Sequence, residues 1–488
     1  MCITEGEWGL CRKVISGVML ILLSISMLTL AFSIRTVETE PTTITVPDDY
    51  EKIQWAIGNA SNGDIIFVRT GTYNENVFVN KTVSLVGENK YNTIIDGNGT
   101  GSVVYITANN VNVTGFTIQN SGAGFPDSGI LLSGSDGTHT KRNIITNNKF
   151  GILLLSSSNN SLVDNIVSNN LHGIELYINS KANRLINNNV SKNNAGILLY
   201  EADSNSLKDN IVLSNNFGIV LGYSNNNIIK GNTVSNAGWS GIRIVDHSDG
   251  NLLLNNTISN NLDGLELTYA NDNTLVNNIA LHNRRYGIAV AYSNNNVLVS
   301  NTVLNNEYGI RVSESGSNNT IYHNNFINNT LQAYILLSPL NTIWDDGYPS
   351  GGNYWSDYSG IDLFKGLYQN ETGSDGIGDT PYVVDENNQD NYPLVEPWSP
   401  KPSSPVEATQ ELIETIETWS LPKGTENSLK AKLKVAIHML DLEKEDGAIR
   451  KLTAFINRAE ILRDKTLTNE QADYLISEAQ RIIDLINE

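Results

Sequence analysis

The sequence predicts a mainly β fold, a parallel β-helix solenoid of 22–23-residue coils closed by a C-terminal cap and followed by a small all-α bundle. Three observations carry this. Gly followed by Ile or Leu recurs nine times, at Gly129, Gly151, Gly173, Gly196, Gly218, Gly241, Gly264, Gly287 and Gly309, with gaps of 22 or 23 residues. Such a period marks a stacked repeat. The apolar residues come in short β-branched bursts bounded by Asn, Ser and Gly, so they read as strands and turns rather than helix. Asn recurs once per coil at Asn165, Asn188, Asn210, Asn232, Asn256, Asn278 and Asn301, where side-chain amides can hydrogen-bond along a stack.

One repeat, Ser161 to Leu176, reads Leu-x-x-Asn-x-(Ile/Val)-x-x-Asn-x-x-x-Gly-Ile-x-Leu. It holds up to three short strands with Asn and Gly corners. Asn tolerates a left-handed backbone, and Gly suits positive φ or a close backbone approach. Coils would stack ~4.8 Å apart, the ordinary strand separation. A leucine-rich repeat shares the period, but Ile and Val dominate inward and no segment of the repeat is helical in pattern.

Ahead of the coils, Val14 to Ile34 is an apolar run preceded by Arg12 and Lys13, which reads as an export signal or a signal-anchor. Its 21 residues suffice to span a bilayer and Leu30-Ala31-Phe32-Ser33 is a poor cleavage site, which favours a membrane anchor at 14–34. Both cysteines, Cys2 and Cys11, precede it, so the exported part contains no disulfide. The expected division is 1–40 leader and stalk, 41–128 N-terminal cap and irregular coils, 129–340 regular coils, 341–398 C-terminal cap, 399–406 Pro-rich linker and 407–488 helical domain. Tyr50 to Ile57 has helical spacing where a solenoid end needs covering. In the last coil Ala333-Tyr334 stands where Gly-Ile is expected. Ser404-Pro405-Val406-Glu407 and Thr468-Asn469-Glu470-Gln471 read as capping boxes, opening two of four helices.

The formal net charge of −20 excludes nucleic acid as a partner, because phosphate neutralisation needs Lys and Arg. Several Asn-x-Ser/Thr sequons follow from a composition rich in those residues.

In Gly-Ile-x-Leu the x residue points outward. That column reads Leu153, Glu175, Leu198, Val220, Arg243, Glu266, Ala289 and Arg311. Its richest neighbourhood supplies the catalytic candidates Arg243, Asp246, His247, Asp263 and Glu266, with Arg284 and Arg285 a coil further on. Carboxylates one or two coils apart suit a glycosidase, and a base beside Arg suits a lyase or epimerase. The plain alternative is an exposed Arg243–Glu266 salt bridge of little energetic weight. A second column, Tyr177, Tyr200, Tyr223, Tyr269 and Tyr292, offers flat faces with polar tips suited to sugar rings, or a ladder that only stabilises the stack. Asp375, Asp379 and Asp385, amid Gly and Asn, are the candidate Ca²⁺ ligands; the alternative is Asp at turns.

The segments Tyr50–Ile57, Gly63–Val68, Gly71–Glu75 and Gly115–Ile118 resemble the opening of NosD-like right-handed parallel β-helix proteins. The repeats resemble those of carbohydrate-binding and sugar-hydrolase β-helix proteins. Gly352–Tyr358 and Gly376–Tyr382 are similar to the closing segment of archaeal surface members, and the tail around Ala454–Asn457 is similar to FIMAH-type helical domains. The resemblance implies a cell-surface β-helix whose partners are polysaccharides or other envelope proteins. It also brings copper delivery, for which four Met, six scattered His and no exported Cys are a poor donor set. Asp246-His247-Ser248-Asp249 is loosely similar to the Asp-Pro-His-Asp motif of alginate epimerases but lacks the Pro, and the paired aspartates and Gly-His-Gly segment of polygalacturonases are absent. The expected role is a non-catalytic glycan- or envelope-binding surface, with a polysaccharide lyase, epimerase or hydrolase, or a structural stalk, as alternatives.

Overall fold

The computed structural model describes residues 40–313, 316–336, 341–399, 404–419 and 421–487. The expected leader and anchor, Cys2 and Cys11, and most of the Pro-rich linker lie outside the described residues. Among the described residues no helix is long and apolar enough to cross a membrane.

The chain winds through three parallel sheets. One has 13 strands and runs from Thr43–Val46 to Thr320–Tyr322, and a second has 12 strands and runs from Val77–Val79 to Leu331–Leu336. A third starts at Gly71–Asn74 and adds one short strand per coil. The coil at Ser161 shows the unit: strands Ser161–Val163, Ile166–Ser168 and His172–Tyr177, each paired in register with the next coil. Leu162, Val167, Ile174 and Leu176 point inward with no solvent exposure. Each coil therefore buries several branched apolar side chains, at ~1.5–3 kcal/mol apiece.

The glycine of Gly-Ile sits inside the six-residue strand, not at a corner, and the reason is close approach. A Cβ on Gly196 would lie 2.6 Å from the Gly218 carbonyl oxygen and 2.7 Å from Val212 Cγ1. The same crowding recurs along the column, and these strands form the Gly-Ile face.

The Asn column is a buried ladder, in which the Nδ2 of Asn165, Asn188, Asn210, Asn232, Asn256 and Asn278 donates to the Oδ1 of the next at 2.9–3.0 Å. Each Nδ2 also donates to a backbone carbonyl, as Asn165 does to Thr140 at 2.9 Å. These Asn do not themselves adopt positive φ. The residue before each does: Asp164, Asn187, Asp209, Gly231, Asn255, Asn277 and Ser300. Two further ladders line the other corners. One runs from Asn160 to Asn319. The other runs Asn148–Asn215 and Asn261–Asn329, interrupted at Ala237.

Helix α1 (Ile53–Asn59) buries Ile53, Ala56 and Ile57 against the first coils. Glu75 accepts from the Ile53 and Gln54 amides at 3.0 and 3.1 Å, satisfying donors that helix starts leave open. In the last coil the register places Ala333 opposite Ile310 and Tyr334 opposite Arg311, so Gln332 holds the Gly position, one residue earlier than expected. Its Oε1 accepts from Asn329 Nδ2 at 2.8 Å and ends that ladder.

A separate unit holds residues 322–325, 346–381 and those from 391 on. Its four helices are α2 (Pro405–Thr418), α3 (Lys423–Asp441), α4 (Glu445–Leu462) and α5 (Asn469–Asn487). They enclose Leu412, Ile416, Leu429, Leu433, Leu452, Phe455, Leu475 and Ile482. Ser404 caps α2 through the Glu407 amide, and Thr468 and Gln471 exchange hydrogen bonds at the start of α5.

Candidate functional site

On the Gly-Ile face the first, fourth and sixth residues of each strand point outward. The register aligns Phe78, Tyr105, Leu131, Leu153, Glu175, Leu198, Val220, Arg243, Glu266, Ala289, Arg311 and Tyr334 in one continuous row at the fourth position.

Three of the five catalytic candidates meet here. Arg285 grips Asp263 through Nε–Oδ1 at 2.8 Å and Nη2–Oδ2 at 2.5 Å, and Asp263 is 4% exposed. The Asp263 hydrogen bonds push the Arg285 pKa still higher. Glu266 accepts from Ser240 Oγ at 2.7 Å and from Thr268 Oγ1 at 3.3 Å, and pairs with Arg243 Nε at 3.2 Å. Asp246 and His247 instead occupy the next corner, both exposed and at positive φ, with His247 tilted against Tyr223. Asp263 and Glu266 on the face are thus each paired with a guanidinium, Arg285 and Arg243. Arg285 and Arg311 also lie over the ring of Tyr286, at 4.6 and 5.4 Å from its centroid. Tyr286, Tyr308 and Tyr334 continue as an aromatic row, with centroids 5.4 and 5.3 Å apart.

The expected tyrosine column divides. Tyr177 and Tyr200 end their strands and stack at 5.5 Å, while Tyr223, Tyr269 and Tyr292 sit one residue later at positive φ. Tyr200 meets Tyr223 edge-on, and Tyr269 and Tyr292 are parallel at 4.7 Å.

Two features escape a reading by columns. Glu175 has a partner on its own strand: His172 Nδ1 lies 2.5 Å from its Oε2, and the carboxylate is buried. The signal was present, since His172 is three residues earlier and outward on the same strand. Leu131, Phe150 and Leu153 form a small core outside the solenoid, bordered by Tyr105, Leu155 and Tyr177. Phe125 packs edge-on against Phe150 and Tyr177 above it.

The acidic candidates for Ca²⁺ bond to N–H groups. Asp375 accepts from Gly366 N, Gln369 Nε2 and Ile377 N, and Asp379 from Leu363 N and Phe364 N. Asp385 accepts from Asn387 N and Asn388 Nδ2. Among the described residues no three His, Cys, Asp or Glu side chains come together to hold a metal ion. The histidines are dispersed: His172 bonds Glu175, His282 bonds Asn305, and His323 bonds the Ser350 carbonyl. Copper, which favours thiolate, thioether and imidazole sets, does not fit these residues.

A family model described as periplasmic copper-binding protein (NosD) matches residues 57–237 and 212–360. The FIMAH domain matches residues 406–484. No curated protein sequence matches the chain. Similar solved structures include the Dettilon tailspike protein, with 16% identity, a TM-score of 0.44, and 60% of this chain and 68% of that one covered. The catalytic domain of a GH87 alpha-1,3-glucanase gives 13% identity, a TM-score of 0.47, and coverage of 62% and 68%. The A-module of Azotobacter vinelandii mannuronan C-5 epimerase AlgE6 gives 17% identity, a TM-score of 0.42, and coverage of 60% and 92%. At these identities the likeness is one of fold alone.

Proposed function

Since the chain belongs to the NosD family of β-helix proteins, we propose that it works outside the cytoplasm as a non-catalytic surface that binds extended glycans along the Gly-Ile face. The aromatic rows carry this reading. Tyr286, Tyr308 and Tyr334 repeat at coil spacing along the axis, and so do Tyr177, Tyr200 and Tyr223. A row of flat apolar faces with polar tips matches successive rings of a polysaccharide. The state of the acids argues against turnover. A glycosidase needs one carboxyl group able to give up a proton and a second free to attack or to activate water. Asp263 and Glu266 each hold a guanidinium instead, and Asp246 is at another edge. Copper binding is not carried over, because the donor set does not fit.

The test is retention of the purified chain in gels containing neutral or acidic polysaccharides, with polymer length followed in parallel. Retention without shortening, weakened by Tyr308→Ala or Tyr200→Ala, is the expected result. Shortening of any polymer would make the protein an enzyme. No retention by any polymer would leave a structural or protein-binding role.

A further inference from the structure

The corner that leads from the third sheet into the Gly-Ile face has three or four residues in every regular coil, for example 147–149 and 169–171. In two consecutive coils near the N-terminus it has seven and eight, 97–103 and 120–127. In solenoids, extra residues at one corner of neighbouring repeats build up one face, often the binding face. Here they raise a wall beside the coils whose outward residues are Phe78 and Tyr105.

The two loops are fastened to each other and to the corner before them. Asn76 Nδ2 donates to the Thr100 and Ser102 carbonyls, Gly122 N to the Gly101 carbonyl, and Ser102 Oγ to the Pro126 carbonyl. Asp127 Oδ2 accepts from Gly124 N at 2.9 Å. Between wall and face lies a cleft of about 460 Å³, lined among others by Phe78, Tyr105, Leu131, Leu155, Ser133 and Asp127. Small-ligand sites run roughly 300–1,000 Å³, with apolar linings and a few polar groups that fix orientation. Phe78 and Tyr105 stand 5.2 Å apart at 42°, so they present two adjoining aromatic surfaces. Among the described residues, Asp127 Oδ1 and the Ser133 and Tyr105 hydroxyls make no hydrogen bond. No Lys or Arg lines the cleft, in contrast to the Arg243–Arg311 stretch of the same face.

We propose that this cleft is a binding site for one or two units of a neutral sugar. The ring stacks on Tyr105 and Phe78, and its hydroxyls bond Asp127 and Ser133. The carboxylate and the lack of cationic side chains exclude uronates and sulfated sugars, so this end of the face selects uncharged units. The inference rests on the glycan reading but concerns a different set of residues.

The test is calorimetric titration and saturation-transfer NMR of the full chain. The probes are the methyl glycosides of glucose, galactose, mannose and N-acetylglucosamine, their disaccharides, and galacturonate as the charged counterpart. At least one neutral saccharide is expected to bind at one per chain, and galacturonate not at all. Tyr105→Ala is expected to weaken binding at least fivefold and Asp127→Asn about threefold, the latter keeping the Gly124 bond and the shape of the loop. Tyr368→Ala, an exposed aromatic outside the Gly-Ile face, should leave it unchanged. Absence of binding by every neutral saccharide, or binding that survives both cleft substitutions, would overturn the site. Polymer retention without small-sugar binding would leave the function proposed above standing and remove the cleft. Small-sugar binding without polymer retention would do the reverse.

Discussion

Arg285 and Asp263 are joined by two hydrogen bonds, from adjacent coils, with the Asp263 side chain buried and the guanidinium partly open to solvent. The two-point contact is the bidentate guanidinium–carboxylate geometry, which fixes the orientation of both side chains. Asp263→Ala leaves Arg285 without that partner and is expected to cost about 1–2 kcal/mol, solvent screening reducing the charge-assisted value. Urea unfolding of Asp263→Ala, Arg285→Ala and the double variant measures the coupling. A coupling near zero would show that the pair is ornamental.

The buried Asn ladder makes a sharper demand. Asn210→Ala removes the acceptor of both Asn188 N and Asn188 Nδ2, and the donor to the Leu185 carbonyl. Unsatisfied buried polar groups cost about 1–3 kcal/mol each, so a loss of at least ~2 kcal/mol is expected. Asn216→Ala, at an exposed site, should stay within about 0.5 kcal/mol. Equal denaturation midpoints for the two variants would contradict this account.

Two glycines on neighbouring coils should respond in opposite ways. Gly196→Ala drives a Cβ to 2.6 Å from a backbone oxygen, and the oxygen belongs to a strand that cannot retreat without breaking register. The expected cost is about 2–4 kcal/mol, as for overpacked cores. At Gly222 the nearest atom is Tyr200 Cδ2 at 3.5 Å, an ordinary contact, so Gly222→Ala should melt like the parent.

His323 is buried, stacked on Trp398 with ring centroids 3.5 Å apart, and its Nε2 lies 2.9 Å from the Ser350 carbonyl oxygen. Burial holds its pKa below the ordinary 6.5, against the opposing pull of that hydrogen bond and of Asp346. The unfolded chain therefore takes up the proton at a higher pH than the folded one. Stability is full above pH ~6.5 and falls as pH drops through that value, levelling below the folded pKa. Urea midpoints from pH 7.5 to 5 should show this loss for the parent and a smaller one for His323→Gln.

Much of the fold was legible because the stack repeats the same constraints. The Gly-Ile period fixed coil length, and the outward x column from Leu153 to Arg311 lies in the expected row. The Asn160 column went unread, and the column through Asn170 stood in the repeat pattern without being recognised as a second ladder, because one amide per coil already accounts for a corner. The site was legible only in part. Asp263, Glu266 and Arg243 lie together because they share a face. Asp246 and His247 went to a corner because a strand of six residues ends at Val245. The loop 120–127 that carries Phe125 over the face belongs to no repeat, so periodicity holds no information about it.

Ala237 interrupts one Asn ladder midway along the solenoid. Asn215 has no amide beyond it to donate to, and the chain of side-chain hydrogen bonds resumes only at Asn261. The junction between the coils of Asn215 and Ala237 therefore lacks an amide at one corner, where the sheets and the other two Asn columns run on. A solenoid drawn apart along its axis yields first at its weakest layer, so mechanical extension of this protein should release two blocks of coils, divided near residue 237, before either block unravels coil by coil.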